Sequence, residues 1–472
     1  MKNILFVTSE ARPFAASGGL GDVAGSLPAA IKRAGGDDVD IRVVMPLYGA
    51  VSREYRDKMT FKCMFNVNLS WRSQYCGVFE MEHDGVIWYF IDNEYYFKRD
   101  TLYGCFDDGE RFSYFCRAAL DMLGFVGFTP DILHANDWQT AMCVINHKCR
   151  GYYPSMRCVY TIHNIEYQGK YGFEILGDVF DLSQACKNIV AYDNCINLTK
   201  GAIVCCDALT TVSPQYANEI KSEYFSAGLY GIIGQNSYKL SGILNGIDTV
   251  YYDPTDDNEI EFTFGAKRMT GKAKNKAALQ AELGLPVKPD APMIGLITRL
   301  VSHKGIDLIM RVADEILQDD VQIVLLGTGD ARYEDYFREL AKAYPDKVSA
   351  NITFNRVMAK KIYASADMFL MPSKTEPCGL AQMIACRYGT VPIVRETGGL
   401  YDSIKAFNPE TGEGNGITFA TFNAHDMLDA VRRAISCYRD PKVWKKIRAN
   451  AMASDFSWDR SAKDYLALYN SL

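Results

Sequence analysis

Short apolar runs of four to six residues recur along almost the whole chain, and most hand over directly to a helical stretch. In the second half, strands are expected at residues 293–298, 321–326, 348–353, 368–371 and 391–394, with helices at 304–317, 332–343, 357–365 and 380–388. Uninterrupted Val/Ile/Leu/Met runs suit strands buried on both faces, and strict strand–helix alternation gives a parallel, doubly wound sheet. The first half reads the same way, with strands at 3–8, 39–45, 131–134, 157–161 and 208–211 and helices from Gly18 toward Arg33 and at 110–123. Residues 61–69, 77–82 and 86–91 add β-forming runs, the last two joined by the hairpin turn Asp84-Gly85.

A length of 472 residues exceeds one ordinary core and implies two large domains. The weakest stretch is 253–292, which holds Pro254-Thr255-Asp256-Asp257 and Pro286-Val287-Lys288-Pro289. The first domain is placed before it at residues 1–246 and the second at 247–455. A final segment, 456–472, has helical spacing of Trp458, Ala462, Tyr465, Leu466 and Tyr469. The net charge of −6 offers no basic excess for nucleic acid. No apolar stretch is long enough to span a membrane, and residues 1–7 are too short and strand-like for a signal peptide, so a cytoplasmic protein is expected. The 14 cysteines are scattered, without a CxxC pair, and read as reduced thiols.

Chemistry concentrates at strand ends, where open α/β sheets bind ligands. After 293–298 comes Arg299-Leu300-Val301-Ser302-His303-Lys304-Gly305, whose two cations suit a diphosphate. A cation at a helix start is unfavourable toward the helix dipole, so two of them there imply a shared anion. After 368–371 comes Pro372-Ser373-Lys374-Thr375-Glu376-Pro377-Cys378-Gly379-Leu380, a carboxylate and a helix start suited to a sugar and a phosphate. Glu376 also fits a plain helix-start acid. Thr397-Gly398-Gly399-Leu400 is a further glycine turn on that edge. In the first half, Gly18-Gly19-Leu20-Gly21-Asp22 opens a helix whose free N–H groups attract negative charge, though its spacing is not that of a dinucleotide fingerprint. His134-Ala135-Asn136-Asp137-Trp138 and Thr161-Ile162-His163-Asn164 each end a strand. Taken singly, Asp137 fits a helix cap and His163 a core histidine; together they fit one sugar site.

These segments, with Tyr167-Gln168-Gly169, Asn245-Gly246-Ile247-Asp248 and Phe456-Ser457-Trp458, resemble the bacterial glycogen synthases and plant starch synthases over essentially the whole chain. That family consists of retaining glycosyltransferases with the GT-B fold: two Rossmann-like domains facing a central cleft, and a C-terminal helix crossing back to the first. The resemblance implies glucose transfer from ADP-glucose to the nonreducing end of an α-1,4-glucan, such as glycogen or a maltooligosaccharide, with retention. It implies an acceptor-side first domain and a donor-side second domain, each incomplete alone. Catalytic roles fall on Asp137, His163, Arg299, Lys304 and Glu376. Donor contacts fall on Gly18, Gly19, Asp22, Asn164, Asn245, Phe354 (stacking on the base), Cys378, Gly379, Leu380, Thr397, Gly398 and Gly399. The acceptor path runs past Gly18 and Tyr224-Phe225…Gly228-Leu229. No cofactor and no metal are expected, because two cations can stabilise the leaving phosphate.

Two positions depart from the family pattern. Ala16 stands where the first loop usually carries lysine, with Arg12 close in sequence as a substitute, and Ala381 replaces a threonine. The second acid of the wider retaining pattern falls at Ile384, as is usual in this subfamily. UDP-glucose as donor, a different acceptor, and a weakly active glucan-binding homologue are the alternatives.

Overall fold

The computed structural model describes residues 1–472. The chain forms two compact units, Met1–Gly246 with Trp458–Leu472, and Ile247–Ser457.

The first unit contains β1 (Lys2–Val7), β2 (Val39–Pro46), β3 (Thr60–Leu69), β4 (Arg72–His83), β5 (Val86–Asp92), β6 (Ile132–Asn136), β7 (Arg157–Ile162), β8 (Lys170–Tyr171), β9 (Ala191–Tyr192), β10 (Cys195–Asn197), β11 (Ala208–Thr211) and β12 (Leu240–Gly242). Nine of these build one sheet in the order β12-β11-β7-β6-β1-β2-β5-β4-β3, and β8-β10-β9 form a small second sheet. The large sheet is parallel except at β4, which is antiparallel to both β3 and β5. Asp84 and Gly85 turn between β4 and β5 with φ of 51° and 73°, as a tight hairpin requires. The central strand β1 is apolar on both faces, and Ile4, Leu5, Phe6 and Val7 are fully buried. It pairs in parallel with β2 on one side and β6 on the other, so the winding direction reverses between β1 and β6.

The C-terminal helix Trp458–Asn470 completes this unit. Tyr465 and Tyr469 are fully buried, and the Tyr469 hydroxyl meets His134 Nδ1 at 2.7 Å. His134 Nε2 reaches Thr161 Oγ1 at 2.6 Å, and burial pushes its pKa down to about 3. This histidine is therefore a neutral core residue. The returning segment starts at Trp458 rather than at Phe456, whose carbonyl accepts from Ile247 N–H within the second unit.

The second unit carries β13 (Met293–Ile297), β14 (Gln322–Leu326), β15 (Val348–Asn351), β16 (Met368–Met371), β17 (Val391–Arg395) and β18 (Ile417–Phe419). All are parallel, in the order β15-β14-β13-β16-β17-β18, and the winding reverses between β13 and β16. Stretch 253–292 is not weak structure throughout: Thr270–Glu282 is a helix. Its buried face consists largely of Gly271, Lys272, Asn275, Lys276 and Gln280, which erases apolar periodicity. Lys272 Nζ donates to the carbonyls of Tyr363 and Tyr388 and to Thr390 Oγ1, and Lys276 pairs with Asp367 at 2.7 Å. All 14 cysteines are free thiols. No helix is long and apolar enough to cross a membrane.

Candidate active site

In open α/β sheets the crevice lies at the strand C-termini where the winding reverses. In the first unit that point is flanked by the turns after β1 and β6. Helix Gly19–Gly35 begins there, but not all of the N–H groups at its start are free as the sequence suggested. Gly18 N–H and Gly21 N–H donate to Glu10 Oε1 at 3.2 and 3.0 Å, and Ser17 gives Oε2 its N–H at 2.6 Å and its hydroxyl at 2.9 Å. Glu10 is 2% exposed. Nothing in residue type or spacing marked it, since a lone acid beyond a strand looks like any surface charge. Arg12 Nε lies 2.6 Å from Asp22 Oδ1. Gly18 and Gly19 stay exposed, while Ala16 lies against Gly21, where a Cβ would come within 2.3 Å of its own.

At the end of β6, Asp137 adopts φ 56°, ψ 178°. A non-glycine residue there carries strain of about 1–3 kcal/mol, a cost that clusters at functional sites. Its carboxylate makes no cap to the turn Trp138–Thr140 that follows. Instead Oδ1 accepts the His163 N–H at 2.7 Å, and the Asn164 N–H supports the carboxylate as well. Burial outweighs both amides and raises its pKa to about 7. His163 Nε2 meets Asn136 Oδ1 at 2.9 Å. His163 is half-buried, and desolvation by the surrounding protein pushes its pKa down to about 3, so it is neutral. Asn164 Oδ1 accepts from Glu166 N–H at 3.0 Å. Strands β1, β6 and β7 are neighbours, which brings the glycine turn, Asp137, His163 and Asn164 to one edge. Asn245 is separate from them: it follows β12, the outermost strand, with a buried Oδ1 that has no partner.

In the second unit the reversal point is flanked by the turns after β13 and β16. Lys304 sits in the turn Ser302–Lys304, ahead of helix Ile306–Ile316, and donates to both Glu376 oxygens at 2.8 and 2.7 Å. The anion that its position called for is thus Glu376 in this structure. Glu376 also accepts from Ser373 Oγ at 2.9 Å and is no plain helix-start acid, because the following helix begins at Ala381. Arg299 is exposed and forms no ion pair. The turns are locked together: a Cβ on Gly305 (φ 74°) would come within 2.0 Å of Pro372 O, and one on Gly398 (φ 45°) within 2.0 Å of Glu376 O. Gly399 N–H donates to Glu376 O at 3.1 Å. Gln382 Nε2 holds the carbonyls of Cys378 and Gly379 and Ser403 Oγ at 2.9–3.2 Å, fixing the turn that contains Leu380. Thr397 is fully buried at the start of helix Gly398–Ser403. Phe354, 79% exposed, lies just beyond β15, two strands from β13. Gln382 and Ser373 act from behind the turns and, like Glu10, carry no signature in the sequence.

A family model described as the starch synthase catalytic domain matches residues 3–235, and one described as glycosyl transferases group 1 matches residues 283–451. A glycogen synthase of Clostridium novyi is 50% identical, with the alignment covering 100% of this chain and 99% of that one. This chain belongs to the glycogen and starch synthase family. A glycogen synthase of Geobacillus thermodenitrificans is 48% identical over 99% of this chain and 97% of its own. The catalytic domain of starch synthase IV from Arabidopsis thaliana, solved with ADP and acarbose, matches with a TM-score of 0.91 and 34% identity over 100% of this chain and 99% of that one. As a member of this family the chain has the GT-B fold and is a hexosyltransferase acting as a glycogen or starch synthase.

Proposed function

We propose that this enzyme transfers glucose from ADP-glucose to the nonreducing end of an α-1,4-glucan, glycogen or a maltooligosaccharide, with retention. The observation that carries the reading is the β13–β16 edge, where Arg299 is unpaired and Lys304 is held against Glu376 beside the Cys378-Gly379 turn. Arg299 and Lys304 stabilise the charge building on the departing diphosphate without a metal. Lys304 then exchanges part of its pairing with Glu376 for phosphate, while Glu376 accepts glucose hydroxyls. Asp137 and His163 serve the sugar: His163, neutral, offers hydrogen bonding without adding positive charge to a cationic transition state.

None of the carboxylates of Glu376, Glu10 and Asp137 is free to act as a nucleophile. Glu376 is tied by Lys304 and Ser373, Glu10 by four donors, and Asp137 by two amides. A same-face displacement, with the leaving phosphate accepting the acceptor hydroxyl's proton, is favoured over a two-carboxylate double displacement. The exposed ring of Phe354 suits stacking on either adenine or uracil, so UDP-glucose is the second reading. The similarity to bacterial glycogen synthases supports cytoplasmic action on a soluble glucan. Initial rates with ADP-glucose and with UDP-glucose, each with and without glycogen, test the proposal. Glycogen-dependent release of ADP with glucose incorporation is expected; preference for UDP-glucose overturns the donor, and no incorporation overturns the reaction.

A further inference from the structure

Helix Gly19–Gly35 starts at the point of the first sheet where an α/β fold ordinarily receives a ligand's anion. Here the chain's own carboxylate fills the place. Glu10 accepts three backbone N–H groups and one hydroxyl, and its own carbonyl is held by Thr8 Oγ1 at 2.7 Å. At 2% exposure it is out of reach of substrate. The turn is closed around it: Arg12 N–H donates to Gly21 O at 2.9 Å, and Ala11 and Ala15 bridge. Outside this closed core, Ser17, Gly18 and Gly19 remain exposed, and a Cβ at Gly19 would meet nothing within 4 Å.

We propose that Glu10 is a positioning residue for nucleotide-sugar binding: it occupies the helix N-terminus itself and holds residues 16–19 as a rigid, outward-facing donor turn. The inference rests on the donor reading given above. Donor recognition here runs through the outward groups of residues 16–19, and the N–H groups of Gly18 and Gly21 are spent on Glu10 rather than on phosphate. The chemistry selects a glutamate. An ionised carboxylate is acceptor-only and satisfies all four donors, whereas a glutamine turns its NH2 group toward at least one of them. An aspartate is one methylene too short to span the same donors.

The test uses the full chain, wild type and the variants E10Q and E10A, with ADP-glucose and glycogen. In E10Q the ADP-glucose KM rises about tenfold, as for one weakened charge-assisted contact, with kcat changed less than about threefold and the glycogen KM unmoved. E10A shows a larger rise. Formate or acetate, but not chloride at equal ionic strength, reverses the E10A effect saturably by refilling the vacated helix start. Calorimetric titration of ADP into wild type and E10Q reads the same shift without turnover. A folded E10Q with wild-type donor KM and ADP affinity overturns the proposal, even if it melts lower, because Glu10 is then only structural. If wild type transfers no glucose, the function reading fails, and the ADP titration still decides on Glu10.

Discussion

The two units place their candidate residues at the same topological point and furnish it in opposite ways. In the first, the edge between β1 and β6 is built from carboxylates and a neutral imidazole: Glu10 sealed under a glycine turn, Asp137 strained and pushed up to about 7, His163 pushed down to about 3. In the second, the edge between β13 and β16 is cationic, with one charge paired to Glu376 and one left in solvent. The parallel sheet fixes where a ligand can sit, and the turns alone decide what kind. Under the proposed function, a sugar at the reacting centre suits Asp137 and His163 on the first edge, and a departing diphosphate suits the second.

The largest expected effects come from the cationic edge. R299A and K304A should each lower turnover by about 10²–10³, as for loss of a transition-state donor. They should differ in stability. Arg299 is exposed, so R299A should melt like wild type. K304A strands Glu376, whose side chain is 8% exposed, without its cation, a loss of about 3 kcal/mol by analogy with broken buried pairs. Assays of both variants paired with thermal melts check this; equal melting of the two breaks the paired-versus-free distinction.

On the first edge, D137N should cost about 10² or more in rate, and the wild-type rate should show an acid limb near pH 7 that the variant lacks. Stability carries the sign in the other direction. Folded Asp137 keeps its proton up to about pH 7, while the unfolded group ionises near pH 4, so the native state loses stability as pH rises between about 4 and 7. D137N should therefore gain in melting temperature over wild type at pH 8, with the gap closing toward pH 4. His134 and His163 pull oppositely, losing stability as pH falls from about 6.5 toward 3, and they titrate in both proteins alike. A constant difference between D137N and wild type at every pH removes the claim that the first edge holds a proton.

Smaller effects belong to the departure at Ala16. Arg12 is engaged by Asp22 at 2.6 Å, and the expectation that it substitutes for the missing lysine is open to test. R12A should raise the ADP-glucose KM roughly tenfold, and A16K should lower it by no more than that. The double mutant shows whether the two share one contact. An unaltered KM in R12A leaves the turn to work through its backbone. The smallest expected effect is none: activity should survive EDTA, since Arg299 and Lys304 supply the positive charge. A strict Mg²⁺ or Mn²⁺ requirement overturns the proposal that this edge works without a metal.

Residue order alone determined the βα rhythm, the Asp84-Gly85 hairpin and the strand ends that carry Asp137, His163, Arg299, Lys304 and Glu376, because burial on both faces demands apolar runs and sheet edges demand turns. It did not disclose helix Thr270–Glu282, whose buried face is polar and is satisfied by carbonyls far along the chain. Nor did it disclose that Lys304 spends its charge on Glu376, that Asp137 leaves its own helix start for the amides after β7, or that Glu10 closes the glycine turn. Those partners are separated by 72, 26 and 11 residues, and no local pattern links them. Sequence fixes which groups exist near a sheet edge; which of them are free, paired or neutral depends on distance and burial, and only tertiary packing sets those.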